Sequence, residues 1–156
     1  KYKIVIGAGS SGPTTRWHSK RFSDLINRLN NLGEYFFFIL CGPNEKEIEK
    51  EIISNLNKEN YVVLSNKNIE NVIPYLCASD MYVGNDSFGS HIMTQSGKKS
   101  IVMLLDTPKA YTDYSQNYHR IIPRGYNIEE INHGTNADPN LITVEEVIKA
   151  IKFFKN

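Results

Sequence analysis

Residues 35–41, Tyr-Phe-Phe-Phe-Ile-Leu-Cys, set seven apolar or aromatic side chains in unbroken succession. Side chains of a strand point alternately to its two faces, so a run of this kind calls for cover on both. This run and the one at 101–105 are far too short to span a bilayer. The chain must therefore lay packing elements above and below the strand, and the flanking sequence supplies them. Phe22, Leu25, Ile26, Leu29 and Leu32 precede it at helical spacing, with Gly33 placed to end that helix in a left-handed cap. After it, Gly42-Pro43-Asn44 breaks the strand, and Ile48, Ile52, Ile53 and Leu56 mark another helix.

The same alternation runs through the whole chain. Residues 2–6 read as a first buried strand, followed by a long Gly/Ser loop at 7–15. A third strand is predicted at 61–64, then a helix capped by Asn68, carrying Ile69, Val72, Ile73 and Leu76 and disturbed at Pro74. Residues 81–83 form a fourth strand, and Asn85-Asp86-Ser87 opens a helix that Gly97 closes. A fifth strand follows at 100–105. Beyond a Tyr-rich loop, a sixth is expected at 120–122, and an irregular stretch covers 125–140. Thr143 and Glu146 have the spacing of a capping box, ahead of an apolar stripe of Val144, Val147, Ile148 and Ile151. Short strands alternating with helices specify the α/β class: a doubly wound, Rossmann-like parallel sheet of about six strands with helices on both faces. With no internal repeat and no dividing linker, residues 1–156 read as one domain.

Composition removes several function classes. A net charge of +1 over 156 residues offers no field for a polyanion, so nucleic acid is not an expected partner. The four His are scattered, and Cys41 and Cys77 stand alone in apolar segments, which reads as reduced, buried thiols and no zinc site. No charged-then-apolar signal segment opens the sequence, and a cytoplasmic location is the expectation. The chain begins at Lys1 inside a strand-like run, which points to a piece of something longer.

In open parallel sheets, ligands bind beyond the carboxyl ends of the strands, where helix N-termini direct amides toward them. Two of the loops so nominated have unusual composition. In 83–91, a buried strand ends, Gly84 turns the chain, and small polar residues lead into a helix. Amides of residues 87–90 would nest a diphosphate there, helped by hydroxyls of Ser87 or Ser90 and by a hydrogen bond from His91. Asp86 suits a ribose or sugar hydroxyl. The plainer alternative makes Asp86 or Ser87 an N-cap and His91 a satisfied surface residue. In 7–17, Gly7, Gly9 and Gly12 fit Gly-x-Gly-x-x-Gly. Pro13 and the late helix start spoil the geometry of a dinucleotide fingerprint, and no acid ends the second strand near Cys41 to hold an NAD ribose. Arg16 is either a bidentate phosphate donor or a solvated charge beside the core-seeking Trp17. Glu45 is the one acid of its charged helix placed near a strand end. Tyr111, Tyr114 and Tyr118 either contact an acceptor or partner lobe, or pack a surface loop. No nucleophile elbow, Walker loop or Cys–His pair is present in the sequence.

The order of these features resembles the C-terminal domain of glycosyltransferase family 9, the ADP-heptose:lipopolysaccharide heptosyltransferases. The likeness is carried by Gly7-Ala8-Gly9, Arg16-Trp17, Leu40-Cys41-Gly42, Gly84-Asn85-Asp86-Ser87 with His91, Gly97 and the strand at 101–105. It extends to residues 141–147 at the entry of the last helix. The resemblance implies one lobe of a GT-B fold, in which two Rossmann-like lobes enclose the active site. The C-terminal lobe holds a nucleoside-diphosphate sugar, usually ADP-heptose, without a required metal or cofactor. The implied donor contacts are Thr14, Thr15, Arg16, Glu45, Asp86, Ser87, Gly89, Ser90 and His91, with Glu45 toward the adenosine ribose. No catalytic residue is expected in this chain, because the family's acidic catalytic residue and most acceptor contacts come from an N-terminal lobe. The implied partners are that lobe, the donor, and a glycan or glycolipid acceptor such as lipopolysaccharide. Any attachment to the inner membrane would lie with the other half. Two positions depart from the family pattern: its phosphate-facing Lys falls on Thr15, beside Arg16, and its Gly after Asp-Thr is Phe88, with Gly89 one place later. A GT-B-fold nucleotide-sugar epimerase lobe and a stand-alone nucleotide-binding module are the alternative readings.

Overall fold

The computed structural model describes residues 1–10, Gly12 and residues 16–156. Strands β1 (Tyr2–Gly7), β2 (Tyr35–Leu40), β3 (Tyr61–Val63), β4 (Met81–Asn85), β5 (Lys99–Met103) and β6 (Tyr118–Ile121) form one sheet in the order β3-β2-β1-β4-β5-β6. Every pairing is parallel. Helices α1 (Ser19–Leu32), α2 (Lys46–Ser54), α3 (Ile69–Cys77) and α4 (Phe88–Gln95) make the first four crossovers, a loop joins β5 to β6, and α5 (Val144–Lys155) follows the last strand. Strand order reverses between β1 and β4, so the loops leaving these two strands diverge and leave a crevice at their carboxyl ends.

The apolar runs divide residue by residue between the two faces. Ile4, Ile6, Phe37, Ile39, Met81, Val83, Ile101 and Met103 pack on one side with α1, α2 and α5. Val5, Phe38, Leu40, Tyr82, Val102 and Leu104 pack on the other with Val72, Leu76 and Met93 of α3 and α4. This is the two-sided cover that the run at 35–41 demands. On α1, Phe22, Leu25, Ile26 and Leu29 are all fully buried, each stabilising the fold by roughly 1.5–3 kcal/mol as an upper bound.

Several local expectations are corrected. Gly33 is extended (φ 168°) and forms no left-handed cap, because β2 begins two residues later. Pro74 lies inside α3 without breaking it, and Asn68 caps that helix by accepting from Asn71 N. β4 runs two residues beyond the apolar triplet, to Asn85. β6 starts at Tyr118, before the expected 120–122. Cys41 is buried but Cys77 is exposed. It follows Leu76, a buried member of the α3 stripe, and one helical step turns it about 100° away from the sheet. The capping box of α5 forms, with Glu146 N donating to Thr143 Oγ1 (3.2 Å) and Thr143 N to Glu146 Oε2 (2.7 Å). Among the described residues no helix is long and apolar enough to cross a membrane.

Candidate functional site

The crevice begins where β1 and β4 are closest. Gly7 and Gly84 are register partners, and a Cβ on Gly84 would lie 2.2 Å from the Gly7 carbonyl oxygen. Beyond this point β4 ends in Asn85, whose side chain is fully buried. Asn85 Oδ1 accepts from Trp17 N at 2.7 Å, and Nδ2 donates to Ala8 O at 3.0 Å. One amide thus fixes both ends of the loop between β1 and α1. Trp17 is itself buried and donates through Nε1 to Ile142 O at 3.0 Å.

Between these loops lies a cleft of about 300 Å³ lined by Gly9, Ser10, Leu40, Cys41, Gly42, Glu45, Asp86, Ser87 and Phe88. Its polar side chains present acceptors. Glu45 Oε1 accepts from Gly42 N (2.7 Å), and Oε2 accepts from Ser10 N (3.1 Å) and from Arg16 Nη2 (2.8 Å). Asp86 faces it from the residue after β4, its carboxyl held above the ordinary range by burial, with the nearby His91 and then the Ser90 hydroxyl drawing it partly back. Tyr82, fully buried, donates its hydroxyl proton to Asn85 O (2.7 Å). The 3.0 Å contact between the Tyr82 and Ser87 hydroxyls then needs Ser87 as the donor. What Ser87 Oγ has left for the cleft is lone pairs. Burial, and then the charges of Glu45 and Glu49, push the Cys41 thiol up to about 12, so it stays protonated and is no nucleophile.

A second cluster adjoins Asp86. His91 Nε2 lies 3.4 Å from Asp86 Oδ1. The Tyr114 and Tyr118 hydroxyls lie 2.7 and 2.8 Å from Nδ1. With Nε2–H turned to the carboxylate, Nδ1 is the acceptor for a tyrosine proton. Burial raises the Tyr118 phenol, which keeps that proton in place.

Of the residues singled out by sequence, the structure brings Glu45, Asp86 and Ser87 together in the cleft. Arg16 is not among the residues lining the cleft and touches two that are, Glu45 and Ser10. The expected hydroxyl contact from Ser90 is replaced by an internal one: Ser90 is fully buried and donates to Ser87 O at 2.7 Å. Its amide also bonds Ser87 O (3.1 Å), which removes it from the expected nest of 87–90. Gly89 lies beneath the cleft, where an added Cβ would meet Leu40 Cδ2 at 2.5 Å. His91 adjoins Asp86 and is not among the residues lining the cleft. Thr14 and Thr15 lie outside the described residues. Sequence reasoning gave no site role to the side chains of Asn85, Leu40 and Cys41, and it counted Phe88 only through its amide. For Asn85 the available signal was a polar residue continuing an apolar strand. Among the described residues, no three His, Cys, Asp or Glu side chains converge as metal ligands.

The sequence model of glycosyltransferase family 9 (heptosyltransferase) matches residues 1–137. The chain belongs to this family. A curated family relative, lipopolysaccharide heptosyltransferase 1 of Campylobacter coli, is 27% identical over 158 aligned residues, covering 97% of this chain and 46% of the relative. The fold is similar to that of the E. coli ADP-heptose lipopolysaccharide heptosyltransferase II, with a TM-score of 0.80 at 20% identity over 98% of this chain and 46% of that one. It is also similar to E. coli heptosyltransferase WaaC with ADP, with a TM-score of 0.77 at 18% identity over 97% of this chain and 43% of that one. The glycosyltransferase family 9 chain thus spans about half the length of these relatives.

Proposed function

We propose that this chain is the donor-binding lobe of a heptosyltransferase-like enzyme. It would hold a nucleoside-diphosphate sugar, ADP-linked by preference, for inverting transfer to lipopolysaccharide or another envelope glycan. The observation that carries this reading is the acceptor-lined cleft at the β1/β4 switch point, where Glu45, Asp86 and Ser87 converge from two loops. Such a wall suits ribose and sugar hydroxyls, each of which has a proton to donate. The diphosphate belongs at the start of α4, where the Phe88 and Gly89 amides precede the helix's own ladder of bonds and the helix dipole favours anions. Membership of glycosyltransferase family 9 supports transfer over epimerisation. The acidic catalytic residue and most acceptor contacts are assigned to a second lobe of the parent protein, and no residue of this chain is given a bond-making role.

Calorimetric titration with ADP, UDP, GDP and NAD tests the reading. Saturable binding of one nucleoside diphosphate is expected, weakened at least tenfold by Asp86→Ala and more mildly by His91→Ala, as lost hydrogen bonds to charged groups predict. A preference for NAD would overturn it.

A further inference from the structure

Arg16 is the nearest described cation to the cleft, and the simplest role for it is to grip a phosphate. The geometry points elsewhere. Its Nη2 is committed to Glu45 Oε2 at 2.8 Å and reaches Ser10 O at 3.4 Å. The two side chains retain only 29% and 15% of their exposure. The carboxylate is wedged between loops: a Cβ on Gly9 or Gly42 would come within 2.2 or 2.8 Å of its Oε1. Pulling Arg16 away to meet a phosphate would leave this mostly buried carboxylate without its cation, a costly separation. It would also bring a second anion beside Glu45.

We propose that Arg16 is a positioning residue. Together with the Ser10 and Gly42 amides it fixes Glu45 as an acceptor for ligand hydroxyls, and it makes no contact with the diphosphate. The inference rests on the nucleotide-sugar reading above and assigns the work within that site. Two loop amides and a guanidinium engage the carboxylate, so its one remaining acceptor site is aimed before the ligand arrives. Without the guanidinium, the amides alone leave the group free to turn.

The test is calorimetric titration of the unsubstituted chain, Arg16→Gln, Arg16→Lys and Glu45→Gln with ADP, 2′-deoxy-ADP, 3′-deoxy-ADP and adenosine. The unsubstituted chain is expected to prefer ADP over at least one deoxy analogue by about tenfold, the value of one hydrogen bond to a charged group. Arg16→Gln should bring that ratio close to one while leaving the ADP-to-adenosine ratio unchanged. Arg16→Lys should recover part of it, because an ammonium restores the charge but not the planar fork. Glu45→Gln should lose the same discrimination, and adding it to Arg16→Gln should cost nothing further. Loss of the ADP-to-adenosine ratio with hydroxyl discrimination intact would make Arg16 a phosphate ligand and overturn the proposal. Equal weakening of all four ligands would make it merely structural, which also overturns it. If the unsubstituted chain binds none of them, the nucleotide reading itself fails, and this inference with it.

Discussion

Two loops that bound the cleft are joined through the Asn85 side chain, which answers one buried N–H and one buried C=O. Removing it by Asn85→Ala leaves both backbone groups without a partner in a place water cannot reach. The expected loss is about 3 kcal/mol in stability, at roughly 1–3 kcal/mol per orphaned group, read as a shift of the urea midpoint at unchanged slope. Asn85→Asp keeps the acceptor for Trp17 N but turns the donor toward Ala8 O into a second acceptor, so it should not rescue. In the sequence, Asn85, Asp86 and Ser87 look like three equivalent polar residues before a helix. Their roles separate only because β4 continues to Asn85, which turns that side chain inward and leaves its two neighbours at the cleft. Glu45 differs again. Its place near a strand end was legible, but its partners Ser10 and Arg16 lie 35 and 29 residues away along the chain. No local pattern announces such a contact.

Elements whose stop and start signals are satisfied locally were the most legible. The Thr143 and Glu146 pair is a reciprocal contact across three residues, and it forms as its spacing requires. Thr143→Ala should cost about 1 kcal/mol, the usual worth of an N-cap side chain. Because Arg28 on α1 pairs with Glu145 in the first turn of α5, the loss should also loosen the α1–α5 contact. Hydrogen exchange at residues 144–147 would report it as faster opening, with the amides of β1 unchanged. Gly33 shows the opposite case. A glycine after a helix permits the left-handed cap but does not compel it, and here Gly33 takes the extended path toward β2. Pro74 likewise marks a missing donor, yet the helix passes through it because Val72 and Leu76 are held against the sheet. At both places tertiary packing outweighed a local preference.

Considered as one body, the molecule is a parallel sheet whose two halves meet between β1 and β4, and the site lies where that joint opens. The joint tolerates no side chain: the Cβ of Gly84→Ala would come within 2.2 Å of backbone oxygen and 2.6 Å of backbone carbon in Gly7. Neither atom belongs to a flexible side chain, so the strands themselves would have to part. A loss of about 3 kcal/mol or more is expected, seen as a lower Tm or as failure to fold. The same substitution should weaken nucleotide binding in whatever folded fraction remains, because the loops after both strands would shift with it. A substitution at Gly12, where an added Cβ meets none of the described residues within 4 Å, is the comparison for loss of a glycine in the same region.

Periodicity in the sequence determined the layers, the number of strands, their parallel sense and the last helix cap, since each depends on residues within a few positions of one another. The resemblance in the sequence also brought out the acidic and hydroxyl-bearing residues of the family pattern. Only the tertiary structure decided how those residues divide the work. Strand order places the loops after β1, β2 and β4 side by side, and burial there brings several donors and acceptors to partners distant in sequence, as at Glu45 and Asn85. Arg16 was thereby drawn to Glu45, Ser90 was turned to the backbone, and Asn85 became the tie between the loops. Spacing along a chain encodes which face a side chain takes. It does not encode which distant group will meet it once the faces are packed.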